Sequence, residues 1–256
     1  MPYTTVGAER VFYTYHRSTV DEAPHLILVH GAGGNHRHWG SQVRTIATAT
    51  TYALDLPGHG RSGGRGRSSI ADYAAFLVGF MDALQLEQAI VAGHSMGGAT
   101  AMTLALQHPQ RAAGLVLVGT GARLRVLPAI LEDTLSHFQD TVELICRYAY
   151  APEADRQLVR RGQREMLQVT PQTIHDDFAA CDSFDIMGQV EGIGCPTLVI
   201  CGMEDRLTPP KYSQYLMDRI AGAELTLVPA AGHMVMVEKP ELVAKAIGSA
   251  LTRWQR

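Results

Sequence analysis

The chain has 256 residues, 46% hydrophobic and 18% charged, with a formal net charge of -3. That profile excludes a disordered chain, a coiled coil and a collagen-like fibre, and it leaves room for a sizeable core. With 22 Lys+Arg against 25 Asp+Glu, there is no electrostatic footprint for nucleic acid or an anionic membrane surface.

Short runs rich in Val, Ile and Leu alternate with longer segments of helical period, the pattern of a mostly parallel sheet covered by helices. In chain order, strands are predicted at 3–6, 11–15, 26–29, 51–54, 89–92, 115–118, 197–201 and 225–228. Helices are predicted at about 38–49, 70–84, 96–107, 210–221 and 240–254, with Pro109, Pro210 and Pro240 at helix boundaries. Between 122 and 189 no strand is convincing, yet Leu131, Leu135, Phe138, Val142, Ile145 and Ala149 recur at helical spacing and predict one amphipathic helix. The chain thus divides into a core, 1–121 with 190–256, and a helical insertion, 122–189, after the sixth strand. An insertion there is expected to cap the carboxyl edge of the sheet, where open α/β sheets bind ligands.

No window approaches the ~18 apolar residues of a spanning helix, and residues 1–16 lack the apolar stretch of a secretory leader, so a cytoplasmic protein is expected. Cys146, Cys181, Cys195 and Cys201 form no C-x-x-C pair, and the eleven histidines include no H-E-x-x-H. Buried thiols in a reduced compartment are expected, with no metal and no organic cofactor.

The strongest chemical signal is the predicted strand at 89–92 running into Gly93-His94-Ser95-Met96-Gly97 and then into a helix of small residues. A serine on so sharp a strand-to-helix turn needs glycine two positions to either side, because the backbone passes close to its neighbours there. Asp205 follows the strand at 197–201, and His233 follows the strand at 225–228, so Ser95, Asp205 and His233 come in that order on loops at one edge of the sheet. Chemically, Ser95 attacks an acyl carbon, His233 takes and returns the proton, and Asp205 fixes the imidazole tautomer. The rival acid is Glu204.

An acyl-transfer site also needs donors for the developing oxyanion. The run His30-Gly31-Ala32-Gly33-Gly34-Asn35 lets the backbone curl so that the N–H of Ala32 faces the same point as the N–H of Met96, which also opens a helix. Gly31, Gly33, His94, Met203 and Met234 are the candidates for the substrate pocket, thioethers suiting an adaptable apolar wall. His30 and His94 are expected to brace the glycine turns, and His36 and His38 either line the pocket mouth or lie exposed.

Together with Asp55-Leu56-Pro57-Gly58-His59-Gly60-Arg61-Ser62, these segments make the chain resemble the α/β-hydrolase-fold serine hydrolases. The branch is the one holding small carboxylesterases, pimeloyl-ester esterases, enol-lactone hydrolases and carbon-carbon bond hydrolases. The resemblance implies an α/β-hydrolase fold with a mostly parallel eight-stranded sheet, and a hydrolase for a small to medium ester or lactone substrate, working as a monomer or homodimer. Aspartate or cysteine in place of Ser95 would have pointed to dehalogenases, epoxide hydrolases or dienelactone hydrolases. The runner-up is carbon-carbon bond hydrolysis, followed by perhydrolysis as a side activity; a ligand-binding member with negligible turnover is the rival from another class.

Asp55, His59 and Arg61 read as a structural loop. Asp176, Asp177, Asp182 and Asp185 of the insertion read as a solvated helix face or as caps. Arg156, Arg160 and Arg164 recur at helical spacing and could grip a carboxylate, although residues 122–189 carry 7 Arg against 11 Asp+Glu.

Overall fold

The computed structural model describes residues 2–255. Eight strands form one sheet: β1 (Tyr3–Val6), β2 (Glu9–His16), β3 (His25–Val29), β4 (Thr50–Leu54), β5 (Ala89–His94), β6 (Ala112–Val118), β7 (Thr197–Gly202) and β8 (Glu224–Val228), in the order β1-β2-β4-β3-β5-β6-β7-β8. Only the β1/β2 and β2/β4 pairs are antiparallel. The predicted strands all form, because β3, β5, β6 and β7 are buried on both faces and therefore read as near-continuous apolar runs.

Alternate residues of each strand feed two cores. On one face Ile27, Val29, Val91, Leu115 and Val199 pack under α2 (Ile70–Ala83), α3 (Met96–Gln107) and α8 (Pro210–Arg219). On the other, Leu26, Leu28, Ile90, Val116 and Ile200 pack under α1 (Ser41–Arg44) and α10 (Pro240–Trp254). Residues 96–105 of α3 are buried all round, so its small side chains are what let it lie close beneath the sheet.

Two helix predictions need correction. The segment 38–49 holds a 3-10 turn at His36–His38 and the single turn α1, separated by extended backbone at Trp39 and Gly40. Trp39 is fully buried and the His36 side chain is bound to Asp55, so tertiary anchors override local helical period. The predicted helix over Leu131 to Ala149 is two helices, α4 (Pro128–Asp133) and α5 (Phe138–Ala149). Thr134 turns its hydroxyl back onto the Ile130 carbonyl, and the N–H groups of Ser136 and His137 both donate to Asp133 O, closing α4 in a turn that leaves Leu135 exposed.

With α6 (Arg156–Met166) and α7 (Pro171–Asp182), α4 and α5 lie between β6 and β7. The two ends of this insertion run side by side through an Arg123/Asp185 bridge and a hydrogen bond from the Ile186 N–H to Ala122 O. A last short helix, α9 (Val235–Glu238), follows β8. Among the described residues, no helix is long and apolar enough to cross a membrane.

Candidate active site

Ser95 sits between β5 and α3 with φ +52° and ψ -114°, a left-handed conformation that costs a non-glycine residue ~1–3 kcal/mol. The surroundings enforce it. The Ser95 N–H donates to Val118 O at 2.9 Å, and its carbonyl accepts from the Thr120 hydroxyl at 2.8 Å and from the N–H groups of Gly98 and Ala99. A Cβ on Gly93 would run into the Gly97 carbonyl, and one on Gly97 into the carbonyls of Val29 and His30, so both flanking positions exclude a side chain.

His233 follows β8, and its Nδ1 lies 2.9 Å from Asp205 Oδ2. Asp205 is buried just beyond β7, where its Oδ1 accepts from the N–H groups of Leu207 and Thr208 and its Oδ2 accepts the Thr208 hydroxyl at 2.8 Å. Burial alone would raise the Asp205 carboxyl; attraction and hydrogen bonding to His233, with the Thr208 donors, outweigh it and hold the group below the ordinary carboxylate range. An ionised carboxylate only accepts, so His233 Nδ1 donates to it and Nε2 is the ring nitrogen left to exchange a proton. Thr208 was not legible as a partner from the sequence; an acid followed three residues later by threonine was the signal available.

Ser95 and His233 share the wall of one cavity of about 270 Å³, together with Ala32, His38, His94 and Met234. Among the described residues, the N–H groups of Ala32 and Met96 donate to no protein acceptor, whereas Gly34 N–H is taken by Gly31 O at 3.0 Å. The Met96 side chain is in the core. Met203, expected in the pocket, is instead 56% exposed: its N–H is bound to Val228 O and the loop turns the thioether outward. Gly31 and Gly33 lie behind the wall. Gly31 packs against the Ser95 and His94 side chains, and Gly33 against Ile174 and Met166 of the insertion.

The histidines around the glycine turn are buried and their roles follow from their partners. His30 Nε2 accepts the Leu56 N–H at 3.0 Å, so its Nδ1 donates to Gly31 O. His94 Nε2 faces the His233 carbonyl at 3.1 Å and donates to it, bracing the loop that carries His233. His36 and Asp55 form a buried contact at 2.8 Å, and Asp55 also accepts the N–H groups of His36 and Arg61, as a structural loop requires. The His233 loop is tied to the insertion as well: Glu238 accepts from Gly232 N–H and Ala151 N–H, both at 3.0 Å, and Met234 N–H donates to Ala149 O. Arg156, Arg160 and Arg164 are exposed on α6 and do not line the cavity.

Asp177 corrects the expectation of a solvated acid. It is fully buried, its Oδ2 accepting the Gly33 N–H at 2.8 Å and facing His59 Nε2 at 2.8 Å, its Oδ1 accepting the Tyr73 hydroxyl at 2.5 Å. His59 Nδ1 lies 2.9 Å from the Pro57 carbonyl. Both ring nitrogens therefore face acceptors, and His59 is the charged imidazolium. Burial opposes that charge, but attraction and hydrogen bonding to Asp177 more than offset it and raise the His59 pKa.

A histidine raised in this way stabilises the fold fully below its unfolded value of ~6.5 and loses that contribution as pH rises through the folded value. His30, His38 and His94 act oppositely: burial first, then neighbouring histidines, push them below the ordinary value, His38 to about 4. Their contribution is lost as pH falls below ~6.5 and the unfolded chain takes up protons. The urea midpoint is expected to decline as pH rises above about 6.5, with that alkaline decline abolished in His59→Gln. A wild-type midpoint that rises across that range would contradict the charged assignment.

The alpha/beta hydrolase family model matches residues 26–246. The pimeloyl-[acyl-carrier protein] methyl ester esterase of Neisseria meningitidis serogroup B is 28% identical over 247 residues, spanning 89% of this chain and 93% of that protein. The 2-hydroxymuconate semialdehyde hydrolase of Pseudomonas sp. strain CF600 is 29% identical over 251 residues, spanning 88% and 86%. Among solved structures, a thermophilic esterase superposes with a TM-score of 0.89 at 34% identity, covering 99% of this chain and 97% of its own. The match runs from β3 into α10 and takes in the strained turn at Ser95 and both loops that meet it: the chain belongs to the alpha/beta hydrolase family.

Proposed function

We propose that this chain is a serine hydrolase that cleaves a small to medium carboxylic ester or lactone through an acyl-enzyme on Ser95, His233 and Asp205. The observation that carries this reading is a strained serine sharing a cavity wall with a histidine whose far nitrogen is held 2.9 Å from a buried carboxylate. Ser95 Oγ attacks the carbonyl carbon while His233 Nε2 takes its proton; the negative charge that develops on the carbonyl oxygen is met by the N–H groups of Ala32 and Met96. Collapse expels the alcohol, which leaves with the proton from His233. Water then attacks the acyl-enzyme with His233 again as base, releasing the acid and restoring Ser95.

Substrate size follows from the cavity, whose ~270 Å³ stands at the small end of ligand pockets. Its wall is largely apolar, with Ile130, Ile145, Met166 and Phe178 contributed by the insertion, which in this reading caps the site and sets acyl specificity. A second reading, hydrolysis of a carbon-carbon bond in a vinylogous diketone, is favoured by the similarity to the hydroxymuconate semialdehyde hydrolase.

Steady-state hydrolysis of p-nitrophenyl esters from acetyl to decanoyl, with a lactone and a vinylogous diketone in parallel, tests both. The proposal expects turnover of the shorter esters, and a rate that falls on acidification because a protonated His233 cannot accept the serine proton. Inertness toward every ester and lactone would overturn it.

A further inference from the structure

Asp177 belongs to the insertion, yet its three hydrogen-bond donors belong to the core: Gly33 after β3, His59 after β4, and Tyr73 on α2. One of these, Gly33, directly follows Ala32, which lines the cavity with Ser95 and His233. Residues 31–34 form a β-turn closed by the Gly34 N–H on Gly31 O, with Gly33 alone at positive φ, +62°, the pattern of a type II turn. The middle peptide of that turn joins Ala32 to Gly33, and its N–H is the one that Asp177 accepts.

We propose that Asp177 is a positioning residue for oxyanion stabilisation, a contact from the insertion that fixes the turn presenting the Ala32 N–H to the substrate. Glycine at the third turn position tolerates either hand, so the middle peptide has a cheap alternative, the type I form with negative φ. That flip would exchange the Gly33 N–H for the Ala32 carbonyl and turn the carbonyl oxygen onto the Asp177 carboxylate. Two oxygens would then meet where Asp177 is fully buried. The carboxylate thereby selects one of two geometries for the middle peptide; φ at Ala32 is about −60° in both, so the carboxylate acts on the Ala32 N–H, one peptide back, by anchoring the turn in place through Gly33. The charged His59 holds Asp177 in place, while Ile174 and Met166 crowd Gly33 from the same insertion. Seating of the insertion and readiness of the oxyanion donor become one event.

The proposal rests on the reading of Ala32 N–H as an oxyanion donor, which wild-type turnover and wild-type inhibition by an aryl trifluoromethyl ketone test first. That inhibitor adds Ser95 Oγ to its carbonyl, the serine proton passing to His233, and leaves a hemiketal oxyanion where the tetrahedral intermediate would be. Three donors converge on Asp177, and asparagine offers one acceptor oxygen and a donor in place of the other. Asp177→Asn is expected to lower kcat for p-nitrophenyl butyrate about 10- to 100-fold with KM within about threefold. The inhibition constant for the ketone should rise by the same factor as kcat/KM falls.

Tyr73→Phe removes one donor but leaves the Gly33 contact, so it should lower the thermal midpoint while kcat stays within about threefold. Should Asp177→Asn fail to fold, Asp177→Glu retains the charge for His59 and displaces the carboxylate from Gly33; it should show the same split at about fivefold or more. A folded Asp177→Asn or Asp177→Glu enzyme with wild-type kcat and wild-type ketone affinity would overturn the proposal. So would a loss confined to the thermal midpoint and shared equally with Tyr73→Phe.

Discussion

Ser95→Ala is expected to lower kcat for p-nitrophenyl butyrate by about four to six orders of magnitude while far-ultraviolet circular dichroism stays unchanged. The substitution removes only Oγ, which makes no hydrogen bond to protein among the described residues. The strained backbone is held by the Val118 carbonyl, the Thr120 hydroxyl and the glycines at 93 and 97, none of which touch Oγ. Alanine at φ +52° is strained much as serine is, so the thermal midpoint should hold. Any rate left belongs to the cavity and its backbone donors acting on water. Activity within tenfold of wild type would mean that the nucleophile is elsewhere.

His233→Ala should produce a loss of similar size by a different route, and a second measurement separates the two. Without the imidazole there is no base for the serine proton and no acid for the leaving alcohol. Unlike Ser95→Ala, it also removes a partner from a buried carboxylate. Asp205 retains the N–H groups of Leu207 and Thr208 and the Thr208 hydroxyl, so the fold should survive with a loss of about 1.5–3 kcal/mol, the range for a hydrogen bond to a charged group. Urea denaturation should therefore show His233→Ala destabilised and Ser95→Ala near wild type. Retained turnover in His233→Ala would assign the base to another group.

The sheet and the elbow were legible for one reason: local chemistry there is dictated by contacts that allow little choice. Strands buried on both faces must be apolar throughout, and the backbone crossing at Gly93 and Gly97 admits no side chain. The loops carrying Asp205 and His233 were legible because each directly follows such a strand. Illegible features depend on partners distant in the chain. Asp177 looks like any helix-face acid until Gly33, His59 and Tyr73, more than 100 residues away, are brought to it. Helical period carried the prediction across residues 134–137 because a threonine hydroxyl turning onto a carbonyl leaves no mark on the apolar pattern. Met203 was misplaced because the direction of a loop side chain is set by the turn, here anchored on Val228 O, and not by the company of catalytic residues.

Mass mapping after treatment with a fluorophosphonate bears most directly on the central claim, that Ser95 is a nucleophile activated by His233. The reagent phosphonylates an activated serine by displacing fluoride, and it ignores an ordinary hydroxyl. One adduct per chain is expected, on the peptide containing Gly93-His94-Ser95-Met96-Gly97, with no labelling in Ser95→Ala and strongly slowed labelling in His233→Ala. An unlabelled wild-type chain, or an adduct on any other residue, would contradict the account.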